Sequence, residues 1–358
     1  MVLTSADIAI NSRETSKLSS VNWDQLLFGR TFTDHMFSAD FTEGVWGNFR
    51  IEPYGPISIE PSLSALHYGQ SIFEGLKAFR GSDGQVRVFR PEMNAKRLNA
   101  SARRMCMAEV PESVFMEGLK ALLNIDSEWV YGKTGYSLYL RPFLFATETY
   151  LGIKPSDSYR FMILASPVGA YYEGRIRVRV EQEYSRASIG GTGTAKAAGN
   201  YAASLYPALI GQKEGYRQLI WTDSATHTHI EESGTMNLFL VKNGALITPP
   251  LDSKTILAGV TRDSILALSR RRGWETYEQP ISVDFLEEGL ADGSITEVFG
   301  TGTAATVAGI ECIGVRGKDY ELADLGAESR SAQLAAELSA IKMGEAPDSM
   351  HWNWTLTQ

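Results

Sequence analysis

The sequence predicts a mixed α/β protein built as two domains. Its 358 residues exceed the usual size of one compact domain. Strand-like and helix-like stretches follow one another without the strict strand–helix–strand rhythm of a doubly wound sheet. Between them lies Pro167-Val168-Gly169-Ala170-Tyr171-Tyr172-Glu173-Gly174, whose glycines and proline suit an interdomain connection. We therefore expect a smaller N-terminal α/β domain over 1–170, a connection over 171–179 and a larger C-terminal α/β domain over 180–358.

Taken in order, Met1 to about Pro61 is rich in turn residues and aromatics and shows little periodicity, which suggests a segment wrapping the surface or a partner subunit. Ser71 to Phe79 is an apolar stretch carrying Phe73-Glu74-Gly75, and Val86 to Phe89 reads as a strand. Pro91 to Met105 reads as a helix, since proline suits a first turn. Pro111 to Ile125 reads as a second, with Val114, Phe115, Leu119 and Leu122 at helical spacing. Ser137 to Ala146 and Tyr159 to Ala165 read as strong strands. In the second half, Ile176, Val178 and Val180 alternate with arginines as in a half-exposed strand. A helix from about Asn200 to Glu214 should kink at Pro207, which lacks an N–H and crowds the preceding turn. Gln218 to Thr222 reads as a strand. Asn237 to Val241 and Ala245 to Thr248 form a hairpin across Asn243-Gly244, a pair that accepts positive φ. Thr261 to Arg272 is a helix stopped by Gly273, Ile295 to Phe299 a strand, and Ala327 to Met343 a final helix.

Composition narrows the function. Hydrophobic residues make up 44% and charged residues 21%, enough apolar material for real cores. The net charge of −8 argues against nucleic acid as a partner for the whole surface, though a few arginines in a cleft can still attract a small anion. The two cysteines, Cys106 and Cys312, have no metal-ligand spacing and suit a reducing compartment as inert packing residues. Asp7 and Glu14 interrupt the first twenty residues, and no stretch has the length of a membrane span, so the expectation is a cytoplasmic protein with no membrane partner.

The chemistry gathers around one lysine set among small residues, Gly190-Gly191-Thr192-Gly193-Thr194-Ala195-Lys196-Ala197-Ala198-Gly199. A desolvated amine there can act as nucleophile and base, with room for a flat cofactor. A P-loop would need glycine before the lysine and Ser or Thr after it, where Ala195 and Ala197 stand. A dinucleotide fingerprint starting at Gly191 meets Lys196 where its third glycine belongs. His227 and His229 are two apart but have no further ligand at zinc spacing, so no metal is expected.

Three further segments carry suitable polar chemistry. In Glu232-Ser233-Gly234-Thr235-Met236-Asn237 a carboxylate can keep a ring nitrogen protonated, although Glu231 beside it is equally acidic. In Leu257-Ala258-Gly259-Val260-Thr261-Arg262 a turn opens a helix, whose first amides suit a phosphate; an ordinary N-cap by Thr261 is compatible with this. In Gly300-Thr301-Gly302-Thr303-Ala304-Ala305 small residues at a strand end expose consecutive amides.

In order and spacing, these segments resemble the class IV pyridoxal-phosphate aminotransferases. The family pattern is met by Glu232, Asn237-Leu238-Phe239, Thr248 and Leu257 to Arg262. The resemblance runs from about Leu27 to the C-terminus and is nearest to branched-chain amino acid aminotransferases. It rests also on Phe28-Gly29-Arg30-Thr31-Phe32, Leu66-His67-Tyr68, Phe73 to Ala78, Tyr139-Leu140-Arg141-Pro142 and Pro167 to Tyr171. It implies a two-domain fold-type IV enzyme with the site between the domains, and a homodimer in which Tyr68 reaches the partner's site. Lys196 is implied as the Schiff-base lysine and catalytic residue. Arg97, Tyr201, Glu232, Val260, Thr261 and Thr303 are implied as further pyridoxal 5′-phosphate contacts. Tyr201 would hold the phenolic oxygen, Glu232 rather than Glu231 the ring nitrogen, and the others the phosphate. Thr303 and Ala304, with Tyr139, would receive the substrate carboxylate, and Phe28, Tyr68, Phe73 and Tyr171 would line the side-chain pocket. Arg141 would meet the second carboxylate of 2-oxoglutarate; the plainer alternative is a structural ion pair. The implied reaction is reversible transfer of the amino group of leucine, isoleucine or valine to 2-oxoglutarate, giving glutamate by ping-pong chemistry. Tyr139-x-Arg141 and the long N-terminal segment argue against D-amino acid aminotransferases and aminodeoxychorismate lyases. No cysteine pair follows the Gly-Thr-Ala turn, so no thiol switch is expected there.

Overall fold

The computed structural model describes residues 3–169 and 174–357. Backbone contacts divide the chain into two units. The first comprises the described residues of Met1–Tyr171, Ala195–Gly199 and Ala340–Gln358, and the second those of Tyr172–Thr194 and Asn200–Ser339. Each has its own sheet, of nine strands among the described residues.

In the first unit the central antiparallel strands are His35–Thr42, Tyr159–Val168 and Ser137–Ala146. Helices Pro91–Arg104 and Glu112–Ile125 bury Leu98, Ala102, Phe115, Leu119 and Leu122, which share a core with Phe37, Ile51, Leu140 and Phe161 from the sheet. Each large apolar side chain of this set contributes about 1.5–3 kcal/mol by leaving water.

The N-terminal region departs from expectation. It is not only a wrapping segment: His35–Thr42 and Val45–Pro53 form a long hairpin within the sheet. Residues 35–39 are buried in a strand with neighbours on both edges, so no polar alternation marks them. The turn at Glu43-Gly44 has φ of 53° and 82°, a two-residue geometry suited to the twist of paired strands. The apolar stretch 71–79 is split into Ser71–Phe73 and Leu76–Arg80, with Glu74 and Gly75 between. Strand Tyr159–Val168 runs on through Pro167, paired with Leu138. The neighbouring strand's pairing ends at Ile163, so the missing proline N–H falls where that edge is open.

In the second unit the order runs from Ile230–Ser233 through Gln218–Thr222, Ile176–Val180, Thr306–Val315 and Ile295–Gly302 to Met236–Lys242. Val178, Ile220, Leu238, Leu240, Ile310 and Ile313 form its core, with Val283 and Leu286 from helix Val283–Ala291. The hairpin at Asn243-Gly244 forms as expected, with φ of 50° and 80°. Helix Ala198–Lys213 continues through the buried Pro207, so the proline is accommodated without ending it. Strands Ile230–Ser233 and Thr306–Val315 and helix Val283–Ala291 carry too weak a pattern to be read beforehand. Cys312 is buried, but Cys106 is exposed, just past a helix C-terminus at φ 53°, and so is not a packing residue.

Candidate active site

The first unit gathers five of the expected residues, Phe28, Phe73, Arg97, Tyr139 and Arg141, around Lys196. Its backbone is pinned twice: Lys196 N donates to Ser101 Oγ (2.9 Å), and its carbonyl accepts from Phe73 N (3.0 Å). Ala197 bridges Ile72, so the lysine segment adds itself to the edge of strand Ser71–Phe73. Small side chains on either side permit that approach. The amine lies 4.7 Å from the centre of the Phe73 ring. Burial lowers its pKa to about 8; Arg97 and Arg141 push the same way, while Glu74 and Tyr139 oppose them.

Glu74 is the main acceptor of this cluster and is 0% exposed. Its carboxylate takes Arg97 Nε and Nη2, both at 2.8 Å, with Asn94 Nδ2 at 2.7 Å and Gly75 N at 3.2 Å. Burial alone would raise its pKa; the adjoining Arg97 charge and its hydrogen bonds, with Lys196 and Asn94, outweigh that and hold it low.

Arg141 closes the other side. Its Nη2 donates to Tyr139 Oη (3.0 Å), and the guanidinium lies over the rings of Phe73 (4.6 Å) and Tyr139 (5.3 Å). Phe28 meets Tyr139 edge-on at 4.9 Å. A Cβ at Gly75 would collide with the Tyr139 hydroxyl, which is why glycine follows Glu74. Phe28, Phe73, Arg97, Tyr139, Arg141 and Lys196 therefore come together. Tyr68 does not join them through a direct contact: it is 39% exposed and its hydroxyl donates to Leu151 O (2.6 Å). Tyr171 lies outside the described residues.

In the second unit one cavity brings Tyr201, of the expected residues, together with Glu232. That residue sits opposite Asn237 in the pairing of Ile230–Ser233 with Met236–Lys242. Its Oε1 accepts from Leu257 N (2.9 Å) and Asn237 Nδ2 (3.2 Å), and its Oε2 lies 2.8 Å from Arg186 Nε. A cavity is lined by Arg186, Tyr201, Ser204, Glu232, Thr235 and Leu257. Glu231 is turned elsewhere, accepting from Thr255 Oγ1, and burial raises its pKa.

Helix Val260–Arg271 begins with Gly259 as its N-cap, so Thr261 is a first-turn residue and not the cap. A Cβ at Gly259 would occupy the place of Asn237 Oδ1, so this glycine lets the turn close on Asn237. Arg262 serves structure, meeting Pro249 O (2.9 Å) and Glu278 (2.8 Å). Thr248 Oγ1 donates to Leu238 O (2.6 Å) within the hairpin. Thr303 and Ala304 form the tight turn after Ile295–Gly302, which Thr306 closes at φ 60°, a costly conformation for a β-branched residue. His227 and His229 are held by Thr222 and Thr228.

Arg186, Glu74, Asn94 and Ser101 escape the sequence reading. Only Glu74 carries a clue, as the single acid in an apolar stretch. Within the first unit the buried amine suits an aldehyde; within the second, the buried Glu232 carboxylate suits a protonated ring nitrogen and the helix start at Val260 an anion.

Comparison with known proteins agrees with this chemistry. The family described as amino-transferase class IV matches residues 71–313. Branched-chain-amino-acid transaminase 1 of Bacillus subtilis (strain 168) is 45% identical over 330 residues, 91% of this chain and 92% of that protein. Branched-chain-amino-acid aminotransferase of Mycolicibacterium smegmatis is 45% identical over 335 residues, covering 91% and 90%. Among solved structures, a branched-chain amino acid aminotransferase from Escherichia coli superposes with TM-score 0.72 at 27% identity, covering 91% of this chain and 99% of that one. The branched-chain amino acid aminotransferase from Thermobaculum terrenum, in its PLP holo-form, shares the fold, with TM-score 0.73 at 20% identity over 91% and 99%.

Proposed function

The chain belongs to the class IV aminotransferases, in their branched-chain amino acid group, and on that footing we propose that it moves the amino group of leucine, isoleucine or valine reversibly to 2-oxoglutarate. The observation that carries this reading is the buried Lys196 amine, close to neutrality, beside an aromatic and guanidinium pocket. Pyridoxal 5′-phosphate is the cofactor that fits the donor set, and it supplies the electron sink for a carbanion at the substrate α-carbon. Lys196 would hold its aldehyde carbon, Glu232 its ring nitrogen and Tyr201 its phenolic oxygen. Arg97, the first turn at Val260 and Thr261, and Thr303 would hold its phosphate. Lys196 then takes the proton from the α-carbon and returns it on the other side of the reaction, which suits an amine with pKa about 8. Tyr139 and the Thr303–Ala304 turn receive the α-carboxylate. Phe28 and Phe73 bound the aliphatic pocket, Tyr68 and Tyr171 are proposed as its further side-chain contacts, and Arg141 takes the second carboxylate of 2-oxoglutarate.

We read 1–170 and 180–358 as domains joined by 171–179. A homodimer is supported by exposed apolar side chains on the first unit, with Leu66 61%, Leu151 64% and Ile153 91% exposed. A cytoplasmic address is supported by the acidic composition; among the described residues no helix is long and apolar enough to cross a membrane.

Titrating leucine into the purified holoprotein tests the reading. The visible cofactor band should fall and be restored by 2-oxoglutarate, and Lys196→Ala should lack both the band and turnover. A parent protein that answers D-alanine but not leucine would overturn it.

A further inference from the structure

Glu74 is a costly residue to keep where it is. A fully buried carboxylate loses its hydration, and a buried ion pair is on average no more stabilising than well-packed apolar side chains of similar volume. Packing alone therefore does not account for a glutamate at 0% exposure gripping Arg97 through both carboxylate oxygens. The grip is rigid as well as strong. Two parallel donors from one planar guanidinium fix its orientation, and Asn94 Nδ2 and Gly75 N fill further acceptor positions on the same carboxylate. Asn94 also donates to Gly75 O (3.3 Å), tying the loop between strands Ser71–Phe73 and Leu76–Arg80 to the helix that carries Arg97.

The charges around Lys196 show what the grip is for. Glu74 directly follows Phe73, whose N–H donates to Lys196 O and whose ring centre lies 4.7 Å from the amine. Arg141 lies over the same ring, and in these shared surroundings Arg97 and Arg141 disfavour a charge on the amine while Glu74 and Tyr139 favour it. Glu74 is the one carboxylate in that set. We propose that Glu74 is a positioning residue that fixes Arg97 side-on and supplies the counter-charge for the Lys196 amine. With it, the local sum over Glu74, Arg97 and Arg141 is one positive charge; without it, two. In the cofactor-free chain, against two guanidiniums and no anion, the buried amine would hold its proton more weakly. Lys196 is already drawn down to about 8, chiefly by burial and then by Arg97, and loss of the opposing Glu74 charge would lower it further.

This inference rests on the proposed roles of Lys196 and Arg97 in holding cofactor. Its test nevertheless reads the full-length chain freed of cofactor, so the two can fail separately. Competitive acetylation of Lys196 across pH, followed by peptide mapping, measures the proton affinity of that amine without any turnover. Glu74→Gln keeps the shape and removes the charge, and should lower the apparent pKa by at least one unit, a tenfold loss of proton affinity. Glu74→Asp keeps the charge and shortens the arm. It should leave that pKa within about half a unit, by the same relation. It should also weaken pyridoxal phosphate at least tenfold while pyridoxal, which has no phosphate, binds as before. An unchanged Lys196 titration in a cooperatively melting Glu74→Gln protein overturns the counter-charge. If Glu74→Gln does not fold, the aspartate variant decides: an equal loss for the two vitamers, or none, overturns the proposal. If the parent chain binds no pyridoxal phosphate while Lys196 still titrates lower in Glu74→Gln, the functional reading fails and the electrostatic one stands.

Discussion

Under the proposed function, Arg141 would let one pocket take two kinds of side chain. Its guanidinium meets two aromatic faces and a phenol, and among the described residues it has no carboxylate in ion-pair contact. The structural ion pair considered from the sequence is therefore not formed among the described residues. Stacked on Phe73 and Tyr139, the arginine presents a flat, weakly hydrated surface that an aliphatic chain tolerates. On the proposed reading a second carboxylate would gain a charged partner there, and losing such a partner costs about 2–5 kcal/mol. Arg141→Ala should therefore slow the half-reaction with 2-oxoglutarate by about thirtyfold or more on that scale. The leucine half-reaction should fall much less. Single-turnover spectra of the two half-reactions measure this, and equal losses would contradict it. Glu231 and Glu232 make a parallel point. Adjacent acids of the same chemistry are separated by their surroundings: one accepts from a threonine hydroxyl, while the other faces an arginine, an amide side chain and a backbone N–H.

At the scale of elements, the turn from Leu257 into helix Val260–Arg271 does two jobs. It gives Leu257 N to Glu232, and it opens the helix whose first amides suit a phosphate. Both depend on Gly259 lying against Asn237, which itself donates to Leu257 O at 2.9 Å. Gly259→Ala drives a methyl group into that amide. The expected result is a folded protein destabilised by about 1–3 kcal/mol, the cost of leaving buried polar partners unpaired. Its cofactor affinity should drop about tenfold or more, since about 1.4 kcal/mol is already tenfold. Thermal melting and cofactor titration check the two halves of this expectation. A variant that binds cofactor like the parent would show that the turn is not coupled to Glu232.

For the whole molecule, three buried lysines dominate the response to alkali. Burial lowers Lys196 and Lys77 to about 8 and, with repulsion from Lys77, lowers Lys342 to about 7. In the unfolded chain these amines hold their protons to their ordinary value of 10.5. Above about pH 7 the unfolded state therefore binds more protons than the folded one, and stability rises with pH. The slope is at most about 1.4 kcal/mol per pH unit for each lysine. Cys312 works in the opposite sense: burial raises its thiol to about 12, so the folded state keeps a proton that the unfolded state loses above about 9. Tyr159 and Tyr216, also raised to about 12, add to this above about 10. Cofactor-free protein should thus melt higher at about pH 8.5 than at about pH 6.5. Lys342→Met, which leaves an apolar side chain near Phe79 and Phe89, should flatten that rise. A parent melting curve that falls over this range would contradict the assignment.

Much of the chemistry is written locally. The small residues around Lys196, the spacing from Glu232 to Asn237, the glycine before Val260 and the Asn243-Gly244 turn are short-range patterns, and each acts through its own backbone conformation. They were legible because a turn or a helix start needs particular residues at particular offsets. The long strand His35–Thr42, the pairing of Glu74 with Arg97 and the link from Arg186 to Glu232 were not. Each joins positions distant in sequence or lies where burial on both faces erases alternation. By itself the sequence determined which reactive groups this protein owns and the turns that present them. Only the tertiary structure decided which charges share a buried space, because a proton's affinity for Lys196 depends on through-space distance in a poorly screened interior and not on separation along the chain.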